Sequence, residues 1–216
     1  MSHLKRQGAP INWPIPRKGT TYLVKTLSDL SNSLPLLVVL RDLLKVAQNR
    51  REVKRIVHLK QILQNTKVIT DEKASLYLFD TISILPSKKS YRLGLTKTGK
   101  FIINEIKDME AGHKISKIID KKTLNGKKIQ LNFSDGRNYL SDVKCKVNDS
   151  ALINLKDKKI EKCLPLKERA NALIIAGKHS GEKGIVERID DKKKMVQIEI
   201  GGAHVNVLIK QMMITE

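Results

Sequence analysis

The sequence predicts an α+β, multidomain fold, and three observations carry that prediction. Residues 34–58 hold two consecutive stretches of helical periodicity separated by a very short link. From residue 63 the pattern changes to short runs rich in Val, Ile and Thr, punctuated by turn signals such as Asn125-Gly126 and Asp135-Gly136. The hydrophobic fraction is 40%, enough for packed cores across 216 residues and too high for a disordered basic tail. In chain order the reading gives an arm at 1–33, a helix pair with a small sheet at 34–90, a central β domain at 91–170 and a C-terminal β domain at 171–216.

Residues 1–33 show neither helical nor strand periodicity. Pro10, Pro14 and Pro16 break it, and Pro14 and Pro16 bias Trp13 and Ile15 towards extended backbone. Lys5, Arg6, Arg17 and Lys18 bracket Trp13, the only Trp of the chain. Such a segment is expected to be poorly ordered alone and to fold along a polyanion groove, with Trp13 stacking on a base.

Residues 34–47, LPLLVVLRDLLKVA, read as a core helix with Pro35 in its first turn. Leu36, Leu37, Leu40, Leu43, Leu44 and Ala47 make the apolar stripe, and Arg41, Asp42 and Lys45 the wet side. The next stretch, NRREVKRIVH at 49–58, is a shorter helix of two faces. Arg50, Arg51, Lys54, Arg55 and His58 share one side; Val53, Ile56 and Val57 share another. Asn49 is placed to cap it, with Glu52 three residues on to return a bond. A row of cations on a rigid element suits phosphates spaced along a nucleic acid.

Short strands are expected at Leu63, 67–70 and 75–85, with Asp80-Thr81-Ile82-Ser83-Ile84 as a turn feeding a closing strand. The middle of the chain reads as a hairpin at 91–103 and strands at 114–120, 128–133 and 151–155. Charged loops at 121–122 and 156–159 separate them, and a small barrel or sandwich is the natural packing. Near the C-terminus a strand at 172–175 leads into the glycine loop GKHSGEKG at 177–184, then a hairpin of 185–189 and 195–200. The loop can bring backbone N–H groups and Lys178 or Lys183 close to a phosphate.

Charge narrows the function. Lys and Arg number 42 against 22 Asp and Glu, a formal net charge of +20, which favours a polyanionic partner. Aromatics are only 4%, too few for a protein that works by stacking single strands, so backbone and shape recognition of folded RNA fits better. Cys145 and Cys163 form no CxxC pair and read as reduced thiols, and the scattered His residues suggest no metal site. No apolar run is long enough for a bilayer, and the first residues carry no secretory h-region. The glycine loop lacks the G-x-x-x-x-G-K-[ST] spacing of a nucleotide-binding loop. No cofactor, metal or small-molecule substrate is expected.

Two short helices, the second basic, followed by a small sheet ending in a D-x-I-x-I strand, resemble the alpha-L RNA-binding fold. The resemblance implies RNA backbone on the basic face of the second helix. The pattern's glycine after that helix is replaced around Leu59, and another, in the following turn, by Thr66. The glycine loop and hairpin resemble a KOW motif on an SH3-like barrel. Pseudouridine synthases share the first module and KOW-type transcription factors the last, so both classes are alternatives. A synthase needs an Asp in a G-R-L-D-type stretch, and the nearest match, Gly136-Arg137-Asn138, continues with Tyr139.

Four further blocks, LKRQGAPINWPIPRKG at 4–19, SLPLLVVLRDLL at 33–44, KKIQLNFSDGRN at 127–138 and LPLKERANALIIAGKHSGEKG at 164–184, widen the likeness. Together they resemble the e-type small-subunit ribosomal protein four family of archaea and eukaryotes over nearly the whole chain. That resemblance implies a structural, non-catalytic component of the cytoplasmic ribosome, bound to small-subunit ribosomal RNA and neighbouring ribosomal proteins. The residues expected to meet RNA are the helix row Arg50, Arg51, Lys54, Arg55 and His58, the arm's Lys5, Arg6, Trp13, Arg17 and Lys18, and the loop's Lys178, His179 and Lys183.

Overall fold

In the computed structural model, which describes residues 3–125, 128–141, 143–190 and 192–215, strands dominate and helices are few and short. The turn expected at Gly126 lies outside the described residues. The chain divides into two units, residues 1–94 with 100–112, and residues 95–99 with 113–216.

In the first unit the arm folds back on itself. Strand β1 (Leu4–Lys5) pairs antiparallel with β2 (Tyr22–Leu23). Strand β3 (Ser33–Pro35) then runs directly into helix α1 (Leu36–Val38), which continues as a π-helical turn, Val39–Leu43. The long helix expected at 34–47 is therefore shorter at both ends. Pro35 is the N-cap in extended backbone, because its strand is paired with β6 (Ser75–Tyr77). At the other end Lys45 adopts φ 54°, and the N–H groups of Val46 and Ala47 both return to the Leu40 carbonyl. Those bonds satisfy the Leu40 carbonyl, whose usual helical donor, the Leu44 N–H, bonds Val39 in the π-helical turn instead. Of the expected stripe Leu36, Leu37, Leu40 and Ala47 are buried and Leu43 and Leu44 half-buried, while Val38 and Val39, outside the stripe, are buried as well, so the short helix is enclosed all round at its start.

Helix α2 (Arg50–His58) follows, and behind it a sheet of strand order β5-β4-β7-β8-β9. Its members are β4 (Ile62–Gln64), β5 (Lys67–Val68), β7 (Thr81–Ile84), β8 (Lys89–Leu95) and β9 (Phe101–Ile106). Buried Ile62, Ile82, Ile84 and Leu93 alternate along these strands and face the core. Asp80 ties the sheet's entry: its carboxylate accepts from the Asn65 amide (2.7 Å), the Gln64 amide (2.9 Å) and the Tyr77 N–H (2.9 Å). A one-turn helix α3 (Asp108–Ala111) closes the unit.

The second unit contains two five-stranded sheets. The first has the order β12-β11-β10-β13-β14, from β10 (His113–Thr123), β11 (Ile129–Phe133), β12 (Asn138–Leu140), β13 (Ser150–Asn154) and β14 (Lys159–Leu164). Lys121 and Lys122, expected in a loop, belong to β10. They pair with Leu131 and Gln130, and the Lys121 ammonium reaches out to the Cys145 carbonyl at 3.3 Å. A long aliphatic stem lets a lysine sit in a strand while its charge leaves the apolar layer. The Asp135-Gly136 turn forms as expected, joining β11 to β12. The second sheet, order β18-β17-β16-β15-β19, comprises β15 (Asn171–Ile174), β16 (Lys183–Asp190), β17 (Met195–Ile200), β18 (Ala203–Leu208) and β19 (Met212–Ile214). Val186, Val196, Ile198 and Ile214 fill its core, with Leu164 packed among them.

Candidate nucleic-acid interface

Helix α2 sets out the cations as its periodicity demands. Arg50, Arg51, Lys54, Arg55 and His58 are exposed, while Val53 and Val57 are buried and Ile56 half-buried. Both ends are fixed. The Asn49 side chain accepts from the Glu52 N–H (3.1 Å), and the Glu52 carboxylate accepts from the Gln48 N–H (2.7 Å) and the Asn49 amide (2.8 Å). Glu52 thus reaches one residue further back than a standard capping box. At the C-terminus Lys60 takes φ 55°; its N–H bonds the Val57 carbonyl and the Gln61 N–H bonds the Ile56 carbonyl. This is a Schellman ending with lysine in the left-handed seat usually given to glycine. Thr66 also adopts positive φ, 68°, so the turn geometry survives without glycine at either place.

The row is not uniformly free. Glu72, buried beneath it, accepts from Arg50 at Nε (2.7 Å) and at Nη2, and lies 3.9 Å from the Lys54 ammonium. Arg51 and Arg55 carry the outward charge, with His58 exposed beside them. A groove of about 260 Å³ runs beside the helix; Arg50, Lys54, His58 and Lys73 line it together with the carboxylates of Asp71 and Glu72. A second cleft of about 590 Å³ adjoins it at Arg50 and Lys73 and adds Lys25 and Arg41. Sequence reasoning missed Lys25, Arg41 and Lys73 as companions of the row. They lie at strand breaks and on the wet side of α1, and only the tertiary fold brings them to α2.

The arm's cations also converge. Lys5, Arg6, Arg17 and Lys18 surround one hollow of about 480 Å³. Arg6, however, is spent on the arm itself: Nε donates to the Thr20 carbonyl (2.7 Å), Nη1 to the Pro16 carbonyl (2.7 Å) and Nη2 to Thr20 Oγ1 (2.9 Å). It staples the loop that presents Arg17 and Lys18, both exposed. Trp13 is 3% exposed and donates its indole N–H to the Ser33 carbonyl (2.9 Å). A ring so enclosed has no face to offer a base, and its role here is packing. The reason is tertiary: the arm folds back so that the indole is enclosed against the segment at Ser33.

The glycine loop, described within the second unit, holds Lys178 exposed and His179 half-buried, whereas Lys183, expected in the loop, stands exposed as the first residue of β16 because it and Gly184 pair with Leu173 and Ala172 of β15. Gly177 and Gly181 both take positive φ, 96° and 90°, and the Gly181 N–H donates to the Ile174 carbonyl (2.7 Å). Ser180 Oγ donates to the Ile175 carbonyl (2.7 Å), and His179 Nδ1 lies 2.9 Å from Glu182 Oε2. His179 is thereby engaged inside the loop, leaving the two lysines to face outward.

Two further lysines are buried. Lys114 pairs with Asp135 at 2.5 Å, both side chains almost wholly enclosed. Lys117 donates to the carbonyls of Ile209 and Met212 (2.8 Å to the latter), and burial pushes its ammonium down to about 8. These lysines bind the strands of the second unit to one another; the alternation of β10 gave no sign that they point inward. Tyr139, at the position of the catalytic Asp in the enzyme alternative, packs edge-on to Phe133 with ring centres 5.4 Å apart. Among the described residues no group of three or more His, Cys, Asp and Glu could hold a metal, and no helix is long and apolar enough to cross a membrane.

A model of the ribosomal S4e family matches residues 87–160, one of the RS4NT domain matches residues 2–28, and one of the KOW motif matches residues 170–199. The chain is 39% identical over 191 residues to the small ribosomal subunit protein eS4 of Methanocella arvoryzae, covering 87% of this chain and 81% of that protein. It is 33% identical over 208 residues to the eS4 protein of Nanoarchaeum equitans, covering 93% and 89%. Among solved structures, the 30S ribosomal protein S4e of Thermoplasma acidophilum superposes with a TM-score of 0.73 at 25% identity, over 85% of this chain and 95% of that one.

Proposed function

The chain belongs to the ribosomal S4e family, and on that premise we propose that it is a structural constituent of the cytoplasmic small ribosomal subunit, held on ribosomal RNA by its basic surfaces. The family is a ribosomal structural one and not an enzyme family. In this reading residues 34–90 act as an alpha-L RNA-binding module, 91–170 as a central β domain and 171–216 as an SH3-like KOW barrel. Its partners are small-subunit ribosomal RNA and neighbouring ribosomal proteins, with no membrane and no small-molecule substrate.

The single observation that carries the proposal is the α2 row. Arg50, Arg51, Lys54 and Arg55 stand exposed with His58 on a helix fixed by a cap at one end, a Schellman turn at the other and buried Val53 and Val57 beneath. Such a surface gains affinity by releasing counterions from the phosphates it neutralises, and it loses little entropy because the helix is already rigid. Arg17, Lys18, Lys178 and Lys183 offer further contacts from the arm and the loop.

The test is the double reversal Arg51→Glu with Arg55→Glu. Neither side chain supports the fold, so the thermal melt should stay within about 0.5 kcal/mol of wild type. Affinity for small-subunit ribosomal RNA should fall at least about tenfold at 0.1 M salt, with the salt slope reduced by roughly 2. Unchanged affinity and slope in a folded variant would refute the helix-face contact.

A further inference from the structure

We propose that the glycine loop at 177–184 does not meet RNA alone: the tip at 95–99 docks onto it and adds Lys97, so that Lys97 and Lys178 grip one stretch of RNA backbone together. This rests on the RNA-binding reading above and names a contact that the sequence motif does not contain.

Residues 95–99 and the glycine loop belong to the same unit. They meet through two glycines. Gly99 and Gly181 are both buried, with φ 74° and 90°. A Cβ built on Gly181 would overlap the Thr96 carbonyl and lie 3.3 Å from the Gly99 N–H nitrogen. A Cβ on Gly99 would lie 3.0 Å from Ser180 Cβ and Oγ. Both positions disfavour a side chain by conformation, and at Gly181 the Thr96 carbonyl also excludes one by space, so the backbones of the tip and the loop lie in direct contact there.

The contact is also held from behind. Ser180 Oγ is anchored on the Ile175 carbonyl, and the Thr96 and Thr98 hydroxyls bond each other at 2.8 Å across the tip. Beside the seam Lys97, Thr98 and Lys178 are all exposed. Lys97 is next to the residue whose carbonyl touches Gly181, and Lys178 lies three residues before it. Two lysines on the two sides of one seam offer two ammonium groups to a single phosphate backbone. The chemistry selected is a polyanionic backbone: ammonium groups flank a hydroxyl, and the site holds no aromatic platform for a base.

The experiment uses the full chain and a transcribed small-subunit ribosomal RNA, with salt titrations of binding for K97E, K178E, their double variant and G181V. K97E and K178E should each weaken binding about three- to tenfold and lower the salt slope by nearly 1; the double variant should lower it by nearly 2. G181V wedges the seam apart, so K97E in that background should have no further effect while K178E keeps its own. If K97E matches wild type while the Arg51→Glu, Arg55→Glu variant loses binding, this inference is overturned and the general RNA reading stands. If neither set changes binding, both fall. If G181V fails to fold, the K97E and K178E arms still decide the matter, since a Lys97 that makes no contact leaves the slope untouched.

Discussion

Beneath the α2 row the Glu72 carboxylate is buried and accepts two hydrogen bonds from the Arg50 guanidinium, one of 2.7 Å at Nε and one at Nη2. Glu72 restrains the first cation of the row and offsets part of its charge. Glu72→Gln should therefore lower stability by about 1–2 kcal/mol, the cost of a lost charge-assisted bond to a half-exposed arginine. It should also raise RNA affinity two- to fivefold at low salt, with a steeper salt slope. Chemical denaturation and filter binding on the same variant check both. A fall in affinity would show instead that Glu72 holds Arg50 in its binding pose.

Trp13 is a core residue of the first unit. Trp13→Ala should lower stability by about 3–5 kcal/mol, as large aromatic truncations in cores do. Trp13→Phe keeps most of the burial and leaves the Ser33 carbonyl without its indole donor, about 1 kcal/mol. Affinity for RNA, compared where each variant is folded, should be unchanged in Trp13→Phe. A tenfold loss there with an intact melt would return the ring to a stacking role.

Lys117 gives a pH signature. Its ammonium sits at about 8 in the folded chain, below the ordinary 10.5, because burial strips away its water. Between these values the unfolded chain holds the proton more firmly, so stability attributable to this residue rises as pH rises from about 8 towards 10.5. Below about 8 both states are protonated and the contribution is constant. The difference in melting temperature between wild type and Lys117→Met should thus be flat from pH 6 to 7.5 and move in favour of wild type by pH 10. A difference independent of pH throughout would contradict the assignment.

Lys114 and Asp135 form a buried pair at 2.5 Å. Asp135→Asn leaves an enclosed ammonium without its counter-charge and should cost about 3–5 kcal/mol. Removing both charges, as Lys114→Met with Asp135→Leu, should cost less than Asp135→Asn alone. Urea unfolding of the three proteins decides it.

Periodicity made much of this legible. The two faces of α2, its Asn49 cap and the Asp135-Gly136 turn all follow from local rules, and local geometry obeyed them. What escaped was decided by tertiary contacts. Pro35 promised a helical first turn, but pairing with β6 held it extended. Lys45, Lys60 and Thr66 take left-handed backbone that glycine would have advertised. Trp13 between basic pairs looked like a ligand contact, and its burial shows only once the arm closes against Ser33. The basic surface was legible where cations share one helix, and illegible where Lys25, Arg41 and Lys73 arrive from a loop, the π-helical turn and a turn. Charge repulsion and burial act between segments that the linear pattern cannot bring together.

The most direct test of the central claim is sedimentation of cell lysate through sucrose gradients at low and then high salt, with detection of this chain. Bound through phosphate neutralisation, it should travel with small ribosomal subunits at low salt and leave them only as salt rises. A chain that stays at the top of the gradient at both salt concentrations would contradict its place in the small subunit.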